Sequence, residues 1–151
     1  MPLHHGQPPV VIDANLALYA LNPSAPQQTQ VLALFARWRN EGRALLAPCL
    51  WPVEVASGLR KMASVGMLTS EEAQALLDLF QAWEVKVYEN DSDLLQSALA
   101  WAERIGHRVI YDSLYLALAE RQSGEFWTGD KRLYNSARQA GAEFVRLLGN
   151  E

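Results

Sequence analysis

Short apolar runs of strand length recur along this chain, each followed by a stretch long enough to be a helix, and this alternation constrains the fold more than any other feature. Val10-Val11-Ile12 is a β-branched run that stops at Asp13, which predicts a buried strand with an acid at its carboxyl end. Asn22-Pro23-Ser24-Ala25-Pro26 then breaks the chain before a helix over residues 26–41, with Val31, Leu34, Phe35 and Trp38 on one face. Residues 44–47 predict a second strand. Beyond Pro48 and Pro52 a helix runs to about residue 65, and Thr69 with Glu72 forms a capping box opening another, with Ala73, Leu76, Leu77 and Phe80 at helical spacing. Residues 84–88 alternate polar and apolar as a strand does, and Asp91 caps a helix bearing Leu94, Leu95, Ala98, Leu99, Ala102 and Ile105 that Gly106 ends. Residues 109–119 are apolar apart from Asp112 and Ser113 and predict a buried helix. Residues 126–128 predict a buried strand, 131–140 a short helix and 144–148 a last strand. Strands separated by helices imply a parallel sheet covered on both faces, hence the α/β class.

A chain of 151 residues with 50% hydrophobic and 9% aromatic content has enough apolar material for one core, which argues against disorder. Residues 1–9 lack the apolar stretch of a signal peptide and are expected to be a short flexible leader with solvated His4 and His5, ahead of a single domain over 10–149. The formal charge of -4 provides no global basic field, so any nucleic-acid contact must come from a local patch. Cys49 is the only cysteine, which excludes an intrachain disulfide and a multi-cysteine zinc site and suits the reducing cytoplasm. Residues 14–36 carry no charge, yet Pro23, Pro26 and Gln27-Gln28-Thr29-Gln30 make them a poor membrane span.

Four acids stand where acids are costly or useful. Asp13 and Asp130 follow strands, at the carboxyl edge where doubly wound folds bind ligands, although Asp13 also reads as a helix N-cap and Gly129-Asp130 as turn chemistry. Asp112 is the one charge inside an eleven-residue apolar run, either capping the helix through the Ser113 and Leu114 amides or paired with a metal. Glu54 has Leu50, Trp51, Ser57 and Gly58 at helical spacing, which packs its face, the alternative being a salt bridge to Arg60 or Lys61. Together, four carboxylates from separate elements with no matching basic set suggest a divalent-cation site, and oxygen-only ligation points to Mg²⁺ or Mn²⁺. Such a site suits phosphodiester hydrolysis. Covalent catalysis fits poorly, because His107 and Cys49 have no recognisable partner and His107 beside Arg108 reads as a surface residue.

The ordered set Val-Val-Ile-Asp13-Ala-Asn15, Trp-Pro-Val-Glu54-Val-Ala, Tyr-Asp112-Ser-Leu-Tyr-Leu-Ala-Leu-Ala and Trp-Thr128-Gly-Asp130 resembles the PIN-domain nucleases, especially toxins of the VapC type. The resemblance runs from Val10 to Leu148, and the third block is its most specific part. It implies a three-layer α/β/α sandwich, Mg²⁺- or Mn²⁺-dependent endonuclease action on RNA, a homodimer, and inhibition by a small antitoxin protein. By position, Asp13, Glu54, Asp112 and Asp130 resemble the family's metal-binding acids, and Asn15 and Thr128 the polar residues supporting them. Many relatives carry a further acid where this chain has Arg132, which speaks against a fully occupied second metal position. Arg132 and Lys131 are candidates to hold RNA phosphate, or a solvated pair at a helix start. Other basic residues group as Arg37-Arg39-Arg43, Arg60-Lys61 and Arg104-Arg108, and ten of the thirteen are Arg, which favours phosphate contacts.

An antitoxin of this kind is expected to lay an apolar segment on the helices near Trp38, Trp51 or Phe80 and a basic side chain among the acids. Two rival readings remain. A Mg²⁺-dependent phosphatase of the haloacid-dehalogenase type needs a second aspartate where Asn15 stands. A PIN-derived, non-catalytic RNA- or protein-binding module predicts a lost acid, and none of the four is missing.

Overall fold

The computed structural model describes residues 6–150. In chain order the elements are β1 (Val10–Ile12), α1 (Ala14–Leu21), α2 (Gln28–Asn40), β2 (Leu45–Pro48), α3 (Leu50–Ser64), α4 (Ser70–Gln81), β3 (Lys86–Tyr88), α5 (Ser92–Ile105), α6 (Tyr111–Arg121), β4 (Glu125–Thr128), α7 (Lys131–Gln139) and β5 (Val145–Leu147). All strand pairs are parallel, in the order β3-β2-β1-β4-β5. The chain builds outward from β1 through β2 to β3 and then returns to add β4 and β5 on the other side. Strand order therefore reverses between β1 and β4, where a crevice opens at the carboxyl ends of such sheets.

Alternation along the central strands separates two cores. Val11 and Phe126 pack on one face with Val55, Leu94, Ala98 and the apolar run of α6, while Val10, Ile12 and Trp127 pack on the other with Val31, Leu34 and Trp38 of α2. The α/β/α sandwich is thus present. α1 serves both cores, through Ala17 and Leu21 on one side and Leu16 and Ala20 on the other. The sequence leaves α1 unassigned because it offers almost no polar face, so it has no amphipathic period to read. Pro48 ends β2, and α3 starts two residues later, before Pro52, which sits in its first turn, where a missing N–H costs nothing.

The capping chemistry is as the sequence predicts. Thr69 accepts the Glu72 amide at 3.0 Å, Asp91 accepts the Leu94 amide at 2.8 Å, and Gly106 closes α5 in the left-handed region with φ of 76°. Val87 departs from the alternation: it is 43% exposed, because β3 is an edge strand with little covering it. The Pro8 carbonyl accepts from Arg43 Nε at 2.8 Å and that of Pro9 from the Glu125 amide at 2.9 Å. The remainder of the expected leader, residues 1–5 with His4 and His5, lies outside the described residues.

Arg43 is buried and ion-paired with Glu125, which also meets Arg146 Nε at 3.2 Å and Trp127 Nε1 at 3.2 Å. Burial alone raises the Glu125 pKa, but these donors and charges outweigh it and hold the carboxyl below its ordinary value. Breaking a buried pair costs about 3–5 kcal/mol, and Arg146 stays to share the load, so Arg43→Ala should cost about 2–3 kcal/mol. Urea unfolding measures this; a loss under about 0.5 kcal/mol would mean that the pair is merely tolerated. Because the folded pKa of Glu125 is depressed, its stabilisation is present above its unfolded pKa and is lost as pH falls through the folded one. The variant should therefore show a shallower loss of stability on the acid side.

Candidate functional site

The end of β1 delivers Asp13 to the carboxyl edge of the sheet, and the end of β4 delivers Thr128, Gly129 and Asp130 beside it. Asp13 occupies the N-cap position of α1 yet makes no capping bond with its side chain. Its Oδ2 instead accepts from Thr128 Oγ1 at 2.7 Å and from Asn15 Nδ2 at 3.3 Å. The same Thr128 oxygen accepts the Asp130 amide at 2.9 Å, and Asn15 Oδ1 accepts the Gly129 amide at 3.0 Å. Asn15 and Thr128 thus tie the two strand ends together around one carboxylate. A Cβ at Gly129 would lie 2.9 Å from the Tyr19 ring and 3.4 Å from Asn15 Oδ1, so a larger residue there must displace that ring.

α6 runs back toward the start of β4, so its first turn, with Asp112, lies at the same edge as Asp13. The N-cap of α6 is Ile110, and Asp112 bonds neither the Ser113 nor the Leu114 amide, which sets aside its reading as a cap. Its Oδ2 lies 3.7 Å from His107 Nδ1. His107 therefore has a partner, contrary to the sequence reading: the turn at Gly106 folds the end of α5 against the start of α6, a proximity that spacing does not reveal. Glu54, in the first turns of α3, forms no ion pair with Arg60 or Lys61 among the described residues. Its Oε1 accepts the hydroxyl of Tyr115 at 2.6 Å. Asp130 is exposed and caps α7, with Oδ1 accepting the Leu133 amide at 3.1 Å, so the turn reading holds for one of its oxygens. Lys131 and Arg132 are exposed on the first turn of α7.

The acids share one electrostatic field. Burial first, and then the charges of Asp112 and Glu54, push the pKa of Asp13 up to about 7 against the Thr128 hydrogen bond. Glu54 is raised by burial and by the charge of Asp112, and Asp112 by burial and by the charge of Asp130, with His107 opposing. Asp13, Glu54 and Asp112 also act together on Tyr115, whose hydroxyl is held protonated by burial first and by these charges next. Carboxylates that repel one another at a sheet edge are an oxygen donor set suited to a hard divalent cation. As they stand, no three Asp, Glu, His or Cys side chains among the described residues are gathered closely enough to enclose one ion. Ligation therefore calls for side-chain rotation at the exposed acids.

Residues 10–139 match the PIN domain family. The chain belongs to the PIN-domain family. Its sequence is 38% identical over 84 residues to a curated relative, Ribonuclease VapC3 of Pyrobaculum aerophilum, a match covering 53% of this chain and 61% of that protein. The chain thus spans about three-fifths of the relative's length. Among solved structures, Mycobacterium tuberculosis VapC20, described as a Sarcin-Ricin loop cleaving toxin, has a TM-score of 0.68 at 16% identity, over 91% of this chain and 98% of that one. A toxin-antitoxin complex from Klebsiella pneumoniae has a TM-score of 0.67 at 13% identity, over 94% and 99%. At these identities the two structures establish the PIN fold alone.

Sequence reasoning missed Tyr115 and the placement of His107. Tyr115 lies three residues after Asp112 in a helix of leucines and alanines, and a phenol there has the same pattern as any core aromatic.

Proposed function

We propose that this PIN-domain protein is a Mg²⁺- or Mn²⁺-dependent endoribonuclease and the toxin of a toxin–antitoxin pair. The observation that supports the reading is the convergence of Asp13, Glu54 and Asp112, from β1, α3 and α6, on one edge of the sheet, where burial raises all three and the charge of Asp112 raises the other two. A divalent ion held by Asp13, Glu54, Asp112 and Asp130 would offset charge on the scissile phosphate and make water a better nucleophile. This chain's residues do the rest. Thr128 and Asn15 fix one Asp13 oxygen and leave the other for a ligand, while Asp130 keeps Oδ2 free of its capping bond. Lys131 and Arg132, at the opening of α7, are placed to hold the phosphate backbone.

The antitoxin is expected on the helices near Trp38, Trp51 or Phe80; those three side chains are themselves interior, each at most 3% exposed, so a partner there would meet their exposed neighbours. The apolar side chains that α2, α3 and α4 leave exposed are Leu32, Val53 and Leu79. The antitoxin is expected to cover such groups while lending the acids a cation, and light scattering would test the proposed homodimer. No described helix is long and apolar enough to cross a membrane.

The deciding experiment incubates the purified protein with structured RNA, single-stranded DNA and a phosphomonoester, with Mn²⁺ and with EDTA. RNA cleavage only with metal is the expected result. Phosphomonoester turnover would favour the phosphatase, and RNA binding without any cleavage would favour the binding module.

A further inference from the structure

Tyr115 places the buried phenol of α6 beneath the acidic edge, whereas Tyr111 at the start of the helix is exposed. Its ring is fully buried and packs on Phe126 at 5.4 Å between centroids, so the hydroxyl has one fixed direction. That direction is Glu54: the 2.6 Å hydrogen bond is short, as expected between a phenol and a charged acceptor. The donor cannot leave and does not ionise, because burial and three neighbouring carboxylates both disfavour a phenolate. Glu54, by contrast, is only half-buried on α3 and has no ion pair among the described residues to set its rotamer.

We infer that Tyr115 is the positioning residue for Glu54, holding the carboxylate toward the cation that Asp13 and Asp112 share and spending one of its oxygens on the hydroxyl so that the other is offered to the ion. The inference rests on the metal-site reading above. A glutamate carries three rotatable bonds, and freezing them before the ion arrives removes that cost from binding. Outer hydrogen bonds of this type are worth roughly 10- to 100-fold in metal affinity where they have been removed from other sites.

The test is Tyr115→Phe, which keeps the ring and its contact with Phe126 and deletes only the oxygen. Calorimetric titration with Mn²⁺, in the absence of RNA, should show a dissociation constant roughly 10- to 100-fold higher than wild type. Circular dichroism and metal-free melting should stay near wild type, so that the change in affinity is not a change in fold, whereas a residue serving only the core would leave the affinity unmoved. Glu54→Ala supplies the second arm: in that background Tyr115→Phe should change Mn²⁺ affinity less than twofold, because the group it acts through is gone. A Tyr115→Phe dissociation constant within twofold of wild type overturns the inference, as does an undiminished loss in the Glu54→Ala background. Failure of the wild-type protein to bind Mn²⁺ overturns the metal-site reading and this inference together, so the two failures are told apart by the wild-type titration.

Discussion

Asp13→Asn and Asp112→Asn are each expected to lower RNA cleavage by roughly a hundredfold or more while leaving the fold intact. A metal ion contributes several kcal/mol of transition-state stabilisation, and each 1.36 kcal/mol is about tenfold in rate. The amide keeps the shape of the carboxyl and, at position 13, still presents an oxygen to Thr128 Oγ1 and Asn15 Nδ2, so the link between β1 and β4 survives. What disappears is the negative charge. The measurement is single-turnover cleavage at saturating Mn²⁺ with circular dichroism alongside. Near wild-type rates in either variant would remove that acid from the proposed site.

Without metal, the protein is expected to lose stability as pH rises from about 4 to 8. Asp13 titrates near 7 in the folded chain and near the ordinary aspartate value of 3.8 when unfolded, so between these values the native state holds the extra proton. Stability then falls with rising pH across that window, and the loss is complete above the folded pKa. The difference corresponds to roughly 4 kcal/mol. Divalent metal acts in the opposite sense, adding about 2.7 kcal/mol at one hundred times its dissociation constant if it binds only the native state. Asp13→Asn, and to a smaller degree Asp112→Asn, should therefore melt several degrees higher than wild type at pH 8 without metal, and gain less from Mn²⁺. Calorimetric scans from pH 4 to 8, with and without Mn²⁺, decide it. A variant that melts lower than wild type without metal and gains as much from Mn²⁺ would make the acid a structural hydrogen-bond acceptor.

The strands and most helices could be read from the sequence because burial on both faces leaves apolar runs, and because Thr69, Asp91 and Gly106 carry unambiguous capping chemistry. The acids were visible for the converse reason: Asp13 and Asp112 interrupt apolar sequence where a charge has a desolvation cost. What lay beyond reach was whatever depends on three-dimensional proximity alone. His107 and Asp112 are five residues apart, yet only the left-handed turn at Gly106 makes them neighbours. Glu54 and Tyr115 are separated by 61 residues and meet because α3 and α6 pack on the same face.

Thr128 lies 115 residues beyond Asp13, and β4, which carries it, enters the sheet next to β1 only after two strands and six helices have been made. During synthesis, then, the nascent chain exposes its first acid early but has neither the hydroxyl that orients it nor the last acid of the set until Thr128 and Asp130 have been translated. An acidic site assembled in this order is incomplete until β4 has been made, and for the proposed RNA substrate that order would delay any cleavage until the sheet has closed around β1.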